Sequence, residues 1–465
     1  MFRTLTLALL ALTASAVSAQ QVISFDEALR LGLERSPDLR LARVNDAAAA
    51  NNVQSSRADA LPLPFISASV TPTQRYGLAF DQTTGELTSE TSESLNLGIS
   101  AQVNLFNGGQ DRRALQQARL QRDASTFSLE RTRQQVAFDV ASRFLQVLLD
   151  DEIVRIRAEN LEAQRELLNQ IQALVDGGVR AEADVFSQRA VVAQAELALL
   201  QAEQAVELSK TRLVEALQLD PFGDYAFVAP SIDAADLVEE DVMLDALLRA
   251  AYERRTDLQA QERRIAAAQA GIGIARAARL PSLDFSASFG TGYSSLQQQI
   301  VAGTGGTVLI PVTTASGEAV VVGGDPFEFP VQTPPELETT PVFTQFGDNR
   351  GGSIGLSLSI PIFDRYQTRR QVQIAQIQTD QARIEMDRLR QSIATEVRQA
   401  VIEYRNAAKQ LDVTAVQVEA AEAALAAEQD RYDLGAGTLV ALEQARARLV
   451  EAQASRAQAT YTFVF

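Results

Sequence analysis

The chain contains no cysteine and no histidine among its 465 residues. Without cysteine it can form no disulfide, has no thiol nucleophile and offers no cysteine for lipid attachment. Without histidine it lacks the commonest metal ligand and the base of Ser/His and Cys/His catalytic systems. We therefore expect no metal site, no cofactor and no enzymatic activity.

Positive charge and long apolar runs are also scarce. The chain has 42 Lys and Arg residues against 59 Asp and Glu residues, a net charge of -17. This balance argues against a nucleic-acid partner, because phosphate binding needs a basic surplus. No run after the N-terminus approaches the roughly 18 apolar residues of a spanning helix. No glycine-rich phosphate loop follows a predicted strand, so we expect no nucleotide site.

The first 19 residues have the pattern of a secretory signal. Arg3 precedes an apolar run from Leu5 to Val17, and the segment ends on the small residues Ser18 and Ala19. An ordinary N-terminal helix is the alternative, but these flanks favour export. We predict a signal peptide at 1–19.

The rest of the chain is internally duplicated. Leu61-Pro62 and the strand-like segment after it recur at Leu280-Pro281, and Gly98–Phe106 recurs at Gly355–Phe363. A repeat of this size determines the architecture. We predict two repeats, 20–230 and 231–465, each running helix, strand pair, very long helix, turn and helix. The strand pairs are expected at about 63–105 and about 282–363.

Apolar and polar residues alternate strictly along these strands, which predicts two different faces. The apolar set of the second strands is Leu95, Leu97, Ile99, Ala101, Val103 and Leu105, and then Ile354, Leu356, Leu358, Ile360 and Ile362. A soluble sandwich is the alternative, but about 10 residues is the length of a tilted membrane strand. We predict that a barrel lumen is lined by Asn96, Ser100, Gln102, Ser286, Ser288, Ser357 and Ser359.

Four such strands per chain are too few to close a barrel. An open edge in hydrocarbon leaves backbone groups unpaired, and closed membrane barrels begin at about 8 strands. Several copies must therefore share one barrel; two chains would give 8 strands and three would give 12. The segments between paired strands, roughly 74–93 and 294–350, are predicted to be surface loops.

Long helical patterns follow each strand pair. No Pro or Gly interrupts 110–175 or 365–434, so each segment is predicted to form one helix of about 100 Å. A set of shorter helices with undetected breaks is the alternative. Helices of roughly half that length are predicted at 25–60, 181–218, 241–278 and 438–460, and each long helix is expected to pair with two short ones.

Each long helix reverses direction in a glycine-containing turn. Glycine suits the positive φ of such a reversal. The residues around the two turns are singled out here as candidates, and the family resemblance described below implies for them a role in a gate and in partner docking. The candidates are Asp176, Gly178, Arg180, Glu182 and Asp184 in the first turn, and Asp433, Gly435, Gly437, Glu443 and Gln444 in the second.

Several segments together resemble the TolC-like outer-membrane efflux proteins. They are Ile23–Leu29, Ser36–Leu39, Leu280–Leu283, Ile360–Asp364 and Tyr432–Thr438. None is specific alone, but their order, spacing and duplication cover nearly all of the chain after the signal. The resemblance implies an α+β membrane protein, a homotrimer sharing a 12-stranded β-barrel. The barrel would continue into a long antiparallel α-helical, coiled-coil-like tunnel.

The resemblance also implies a function. The protein would be the outer-membrane exit duct of a tripartite efflux or type I secretion system, reaching into the periplasm. Its implied partners are outer-membrane lipid, a periplasmic adaptor and an inner-membrane pump of the RND or ABC type. The alternative is a structural or adhesive coiled-coil protein with a membrane anchor, which would not need duplicated strands with polar inner faces.

The chain departs from this family at the turns. The resemblance places an aspartate ring at positions occupied here by Ala441 and Gln444, and a turn arginine at Gly437. Only Asp184, in the first repeat, keeps an acid at its equivalent place. The candidate substitutes are Arg180, Glu182, Glu443 and Arg446.

Overall fold

The structure is a computed structural model, and it describes residues 21–80, 87–228, 243–333 and 336–464. The chain divides into two compact units. The first comprises the described residues within 1–53, 117–268 and 377–465, and the second comprises 54–116 and 269–376. The predicted signal at 1–19 and the predicted repeat boundary at 230/231 lie outside the described residues.

Two helices of equal length run through the chain. Helix α3 spans Gln110–Asp176 and helix α8 spans Gln367–Asp433, each with 67 residues. Both are continuous, so the prediction of two uninterrupted long helices is confirmed. The shorter helices are α1 (Phe25–Arg35), α2 (Pro37–Asp59), α4 (Glu182–Leu217), α5 (Leu244–Arg254), α6 (Thr256–Ala277), α7 (Val342–Asp348) and α9 (Leu439–Val464). Every helix in the described ranges is too short or too polar to serve as a transmembrane span.

The single helices predicted at 25–60 and 241–278 are wrong, since each is broken. Ser36 separates α1 from α2 with ψ of 126°, because the residue before Pro37 is pushed out of helical geometry. The Ser36 Oγ then accepts the Leu39 N–H at 3.4 Å and caps α2. Arg255 makes the matching break between α5 and α6 with ψ of 120°.

Each long helix lies antiparallel to shorter ones within the first unit. Along α3, the Arg143 guanidinium donates to Arg212 O of α4 at 3.1 Å, and Arg165 pairs with Glu196 at 2.6 Å. Along α8, the Arg456 guanidinium of α9 donates to Leu411 O at 3.3 Å. The opposite part of α8 accepts a hydrogen bond at Ala382 O from Gln261 of α6 at 2.8 Å. These contacts fit the predicted pairing of one long helix with short ones.

The largest core cluster of this unit surrounds Phe144 of α3. Its ring has no exposed surface and makes edge-to-face contacts with Phe25 at 5.4 Å and Phe227 at 5.8 Å. Two short strands support it: β1 (Gln21–Ser24) pairs in parallel with β4 (Tyr225–Val228). Sequence patterning does not predict this pair, because four residues are too few to establish a period.

We expect Phe144→Ala to destabilise this unit by about 3–5 kcal/mol, since it removes a fully buried ring and leaves a cavity. The measurement is thermal unfolding followed by circular dichroism. Phe222→Ala is the matched control because that ring is 95% exposed. Equal midpoints for the two variants would contradict the placement of the core.

The second unit contains a four-stranded antiparallel sheet. Strands β2 (Phe65–Phe80), β3 (Leu87–Asn107), β5 (Ser282–Ser294) and β12 (Gly351–Ser359) lie in the order β12-β5-β3-β2. The prediction of four strands is confirmed. Their antiparallel order leaves β2 and β12 as the two edges.

Three details of the predicted strands and loops are wrong. The segment 74–93 is largely strand rather than loop, because β2 and β3 stay paired up to Phe80 and Leu87. Leu105 does not continue the predicted alternation of apolar and polar residues along β3. A bulge between Asn104 and Phe106 leaves Leu105 without an opposite residue on β5 and brings Phe106 opposite Leu283. Strand β12 ends at Ser359, so Ile360 and Ile362 lie beyond it, next to Pro361, which has no N–H to donate.

The second predicted loop, 294–350, also contains regular structure. Its strands are β6 (Gln298–Ile300), β7 (Gly306–Pro311), β8 (Val321–Val322), β9 (Asp325–Pro326), β10 (Glu328–Thr333) and β11 (Leu337–Thr339). They pair as β6–β11, β7–β10 and β8–β9. We call this set of strands, 298–339, the arm.

Candidate gate at the helical turns and the two faces of the sheet

The first turn joins α3 to α4. Gly178 adopts φ of +74°, and the Val179 N–H returns to Leu174 O at 2.8 Å, which closes the last turn of α3. Glu182 and Asp184 fall in the first turn of α4, where carboxylates interact favourably with the helix dipole. The turn thus places two predicted acids at one helix N-terminus.

The second turn joins α8 to α9 with the same reversal. Gly435 has φ of +74°. A Cβ on Gly437 would lie 2.9 Å from Tyr432 N, so the backbone leaves no room for a side chain there. Thr438 Oγ1 accepts the Ala441 N–H at 3.2 Å and caps α9. The close backbone approach gives a physical reason why glycine occupies position 437.

The two turns meet at Tyr432. The Arg180 guanidinium lies 4.6 Å from the centre of the Tyr432 ring, and its Nη1 is 4.0 Å from Asp184 Oδ2. Burial raises the pKa of Tyr432, while the Arg180 charge opposes that rise. Tyr432 packs in an apolar cluster with Leu167, Ile171, Val185, Leu439 and Leu442. Contacts of Arg180 therefore tie the first turn to the second.

A buried polar network lies next to this cluster. Gln164 of α3 donates to Glu443 Oε2 at 2.7 Å and accepts from Gln188 Nε2 at 2.6 Å. Gln164 and Gln188 are almost fully buried. Burial raises the pKa of Glu443, and the hydrogen bond from Gln164 and the Arg446 charge oppose the rise. The network joins α3, α4 and α9 through groups far apart in sequence.

We expect the contact of α9 with α3 and α4 to weaken as pH rises. The pKa of Glu443 is raised above its ordinary value of 4.5 in the fold, so the folded state binds the proton more tightly than the unfolded chain. Stability from this group is complete below that ordinary value and is lost as pH rises through the raised pKa. Hydrogen exchange at the start of α9, followed between about pH 4.5 and pH 7.5, measures the effect.

Glu443→Gln is the matched variant for this pH effect. It keeps the acceptor for Gln164 and removes the charge, so exchange at neutral pH should slow and its pH dependence should flatten. Identical pH profiles for wild type and variant would rule out Glu443 as the titrating group.

Four of the remaining predicted turn residues, Asp176, Glu182, Asp433 and Gln444, are solvent-exposed, and Arg446 is half-buried. Asp176 accepts from Gln172 at 3.0 Å and Asp433 accepts from Gln429 at 3.2 Å, each within its own helix. Gln444 lies beside Glu443 on the wall of an open groove of about 510 Å³. Arg446 donates to Ala163 O at 3.1 Å. The structure therefore brings Arg180 and Asp184 together but leaves Asp176, Glu182 and Asp433 apart from them.

Sequence reasoning missed three residues at this site. Tyr432, Gln164 and Gln188 form the contacts that hold the turns, although none was a predicted site residue. For Gln164 and Gln188, the signal available in the sequence was a glutamine at a helix position whose neighbours on the same buried face are apolar.

All seven predicted lumen residues lie on one face of the sheet. Opposite residues in antiparallel strands share a face. Ser100 is opposite both Ser67 and Ser288, Gln102 is opposite Ser286, and Asn96 is opposite Gly292. On β12, Ser357 is opposite Asp284 and Ser359 is opposite Ser282. Three side-chain hydrogen bonds, each of 2.8 Å, link this face: one between Ser67 and Ser100, one between Ser288 and Ser353, and one that Asn104 donates to Asp284.

The opposite face is apolar and exposed. Ile354 is 80% exposed and Leu356 is 65% exposed. The same face carries Ile66, Val70, Leu97, Ile99, Phe289 and Leu358. A continuous exposed apolar face of this kind marks a surface that contacts lipid or another protein.

Comparison with known proteins gives matches along both halves of the chain. A family model described as outer membrane efflux protein matches residues 28–218 and 247–464. OpmQ of Pseudomonas putida, a pyoverdine export outer membrane protein, is 28% identical over 292 residues, covering 59% of this chain and 57% of OpmQ. Protein CyaE of Bordetella pertussis is 24% identical over 382 residues, covering 82% of this chain and 69% of CyaE.

Solved structures share the fold. VceC of Vibrio cholerae superposes with a TM-score of 0.70 at 16% identity, covering 95% of this chain and 93% of VceC. The Campylobacter jejuni outer membrane channel CmeC gives 0.70 at 17% identity, covering 95% and 83%. By sequence, the chain spans little more than half of the first curated relatives, 57% of OpmQ and 54% of the Pseudomonas putida efflux protein TtgC.

Proposed function

Because the chain belongs to the outer membrane efflux protein family, we propose that it is the exit duct of a tripartite efflux or type I secretion system. It is an outer-membrane protein, and the resemblance identified from its motifs is confirmed. In the proposal the duct conducts passively and has no catalytic role. Its relatives carry names for pyoverdine, toluene and antibiotics, so the proposal concerns the duct and not one cargo.

One observation carries the proposal: a sheet with a polar face and an exposed apolar face, open at both edges. In a membrane the apolar face would contact lipid, and the polar face would line a water-filled lumen. The open edges of β2 and β12 would have to pair with other copies, because unpaired backbone groups are not tolerated in hydrocarbon. We propose three copies, which give a barrel of 12 strands.

The helices would continue this barrel as a periplasmic tunnel. The two proposed repeats, 20–230 and 231–465, each contribute one 67-residue helix of about 100 Å. The turns at Gly178 and Gly435 would form the periplasmic entrance and the docking surface for an adaptor. The adaptor would connect the duct to an inner-membrane pump that supplies the energy.

Single-channel conductance in planar bilayers tests the proposal. The purified protein should give discrete ion-conducting steps, small in the wild type and larger when the turn contacts are removed. Conduction through a polar lumen also predicts that Ser100→Asp, on the polar face, shifts ion selectivity toward cations. If neither the wild type nor any turn variant conducts, the protein is a membrane-anchored structural protein and the proposal is wrong.

A further inference from the structure

The arm is a chain of antiparallel pairs between β5 and β12. Its base is β6 with β11, its middle is β7 with β10, and its tip is β8 with β9. Among the described residues, which exclude 334–335, no strand outside the arm pairs with it. A two-stranded ribbon is only marginally stable alone in water. The arm therefore needs a surface to pack against.

One face of the central β7–β10 region of the arm is apolar over three successive residue pairs. Val308 is opposite Val331 and Ile310 is opposite Phe329, and the Val312 N–H bonds to Phe327 O at 2.9 Å in the next pair. These six side chains are between 37% and 59% exposed. The other face carries Leu309 and Thr307 with Glu328, Pro330 and Gln332. We call the six-residue side the apolar face of the arm.

The arm carries negative charge only. Its charged residues are Glu318, Asp325, Glu328, Glu336 and Glu338, and no Lys or Arg occurs between Leu280 and Asn349. Anionic lipid headgroups attract basic segments, so this composition disfavours a lipid surface as the cover.

The root of the arm is held firmly on the sheet. Gln345 of α7 is fully buried; its Oε1 accepts the Ser294 N–H at 2.8 Å and its Nε2 donates to Ser294 O and Thr340 O. Asn349 Nδ2 donates to Gly292 O at 2.7 Å. The chain then enters β12 at Gly351. The arm thus rises from a fixed point at one free edge of the sheet.

The opposite edge of the sheet is β2, and part of this strand extends beyond the four-stranded region and carries exposed apolar side chains. Strand directions alternate in the order β12-β5-β3-β2, so the start of β2 and the end of β12 lie at the same end of the sheet. Strand β2 has 16 residues and β12 has 9, so the far part of β2 continues beyond the start of β12. That part, paired with β3, forms a projecting ribbon in which Tyr76 and Leu78 are each 73% exposed.

We propose that the apolar face of the arm packs on the projecting ribbon of the neighbouring copy and locks adjacent copies together. The inference rests on the proposed shared barrel. Strand directions alternate across the sheet, so β12 of one copy meets β2 of the next in the antiparallel sense. The residues preceding Gly351 then lie next to the ribbon.

Cross-linking tests the contact directly, because the natural chain has no cysteine to interfere. The variant Tyr76→Cys/Phe329→Cys is treated with a short bismaleimide in detergent and analysed on a denaturing gel. We expect covalent dimers and trimers in place of most of the monomer. The matched control, Tyr76→Cys/Gln332→Cys, places the second thiol on the other face of β10 and should stay monomeric on the gel.

Every other outcome overturns the contact. Equal cross-linking of test and control, or none in an intact trimer, excludes this packing. Cross-linking of Phe329→Cys alone would mean that arms contact one another. A nitroxide spin label can be attached at Phe329→Cys and its relaxation measured by electron paramagnetic resonance. If oxygen enhances that relaxation more than a polar nickel reagent does, the apolar face of the arm lies in lipid. If native mass spectrometry shows no trimer, both the proposed barrel and the arm contact are wrong. If the trimer is intact but gives no cross-links, only the arm contact is wrong.

Discussion

Leu356→Arg will prevent stable assembly of the protein in the outer membrane, whereas Ser357→Arg will not. The two residues are neighbours on β12 but lie on opposite faces. Leu356 is 65% exposed on the apolar face, and an arginine facing lipid costs roughly 2–4 kcal/mol per chain near the bilayer midplane. This free-energy cost would recur in every copy that contributes strands to the proposed shared barrel. The measurement is the amount of detergent-resistant oligomer in the outer-membrane fraction.

Ser357→Arg is the matched control for charge and size. Ser357 lies opposite Asp284 on the polar face, so an arginine there has water and a carboxylate as partners. Assembly should stay near the wild-type level, and ion selectivity should shift toward anions. If Leu356→Arg assembles as well as Ser357→Arg, the apolar face is not the lipid face.

Arg180→Ala will open the proposed periplasmic entrance. The substitution removes the contact of the guanidinium with the Tyr432 ring and its ion pair with Asp184. A cation–π contact of this kind contributes about 0.5–1 kcal/mol. With one contact in each of the three proposed copies, the ratio of open to closed entrances should rise roughly ten- to hundredfold. The readouts are single-channel open probability and sensitivity of cells to large antibiotics.

The variant Tyr432→Phe distinguishes the contribution of the Tyr432 ring from that of its hydroxyl. Among the described residues the Tyr432 hydroxyl has no hydrogen-bond partner, so the phenylalanine variant keeps the contact with Arg180 and should conduct like the wild type. Tyr432→Leu should resemble Arg180→Ala. Asp184→Asn should have a smaller effect, since its distance to Arg180 is 4.0 Å. Unchanged conductance in both Arg180→Ala and Asp184→Asn would remove these residues from the gate.

The strands and long helices could be predicted because their periods persist over many residues. Alternation from Leu95 to Val103 repeats often enough to assign both faces, and the same pattern recurs around Leu356. The 67-residue helices follow from the absence of Pro and Gly over their length. These features depend on local sequence, so no knowledge of distant contacts is needed.

The missed features depend on contacts between distant segments. The break at Ser36 follows from the proline after it, but the break at Arg255 has no such signal; it is accompanied by pairing of Arg255 with Asp257 and Glu396. The site network joins Gln164 to Gln188 and Glu443 across three helices. Nothing in the local pattern around any one of them specifies its partners.

The number of chains in the purified assembly tests the central claim most directly. Within the described ranges one chain supplies four strands to an open sheet, so the account requires a shared barrel. Native mass spectrometry in a detergent that preserves barrels should give three chains per particle, each no heavier than 50.4 kDa. A single chain in that detergent would contradict the shared barrel and the duct proposed from it.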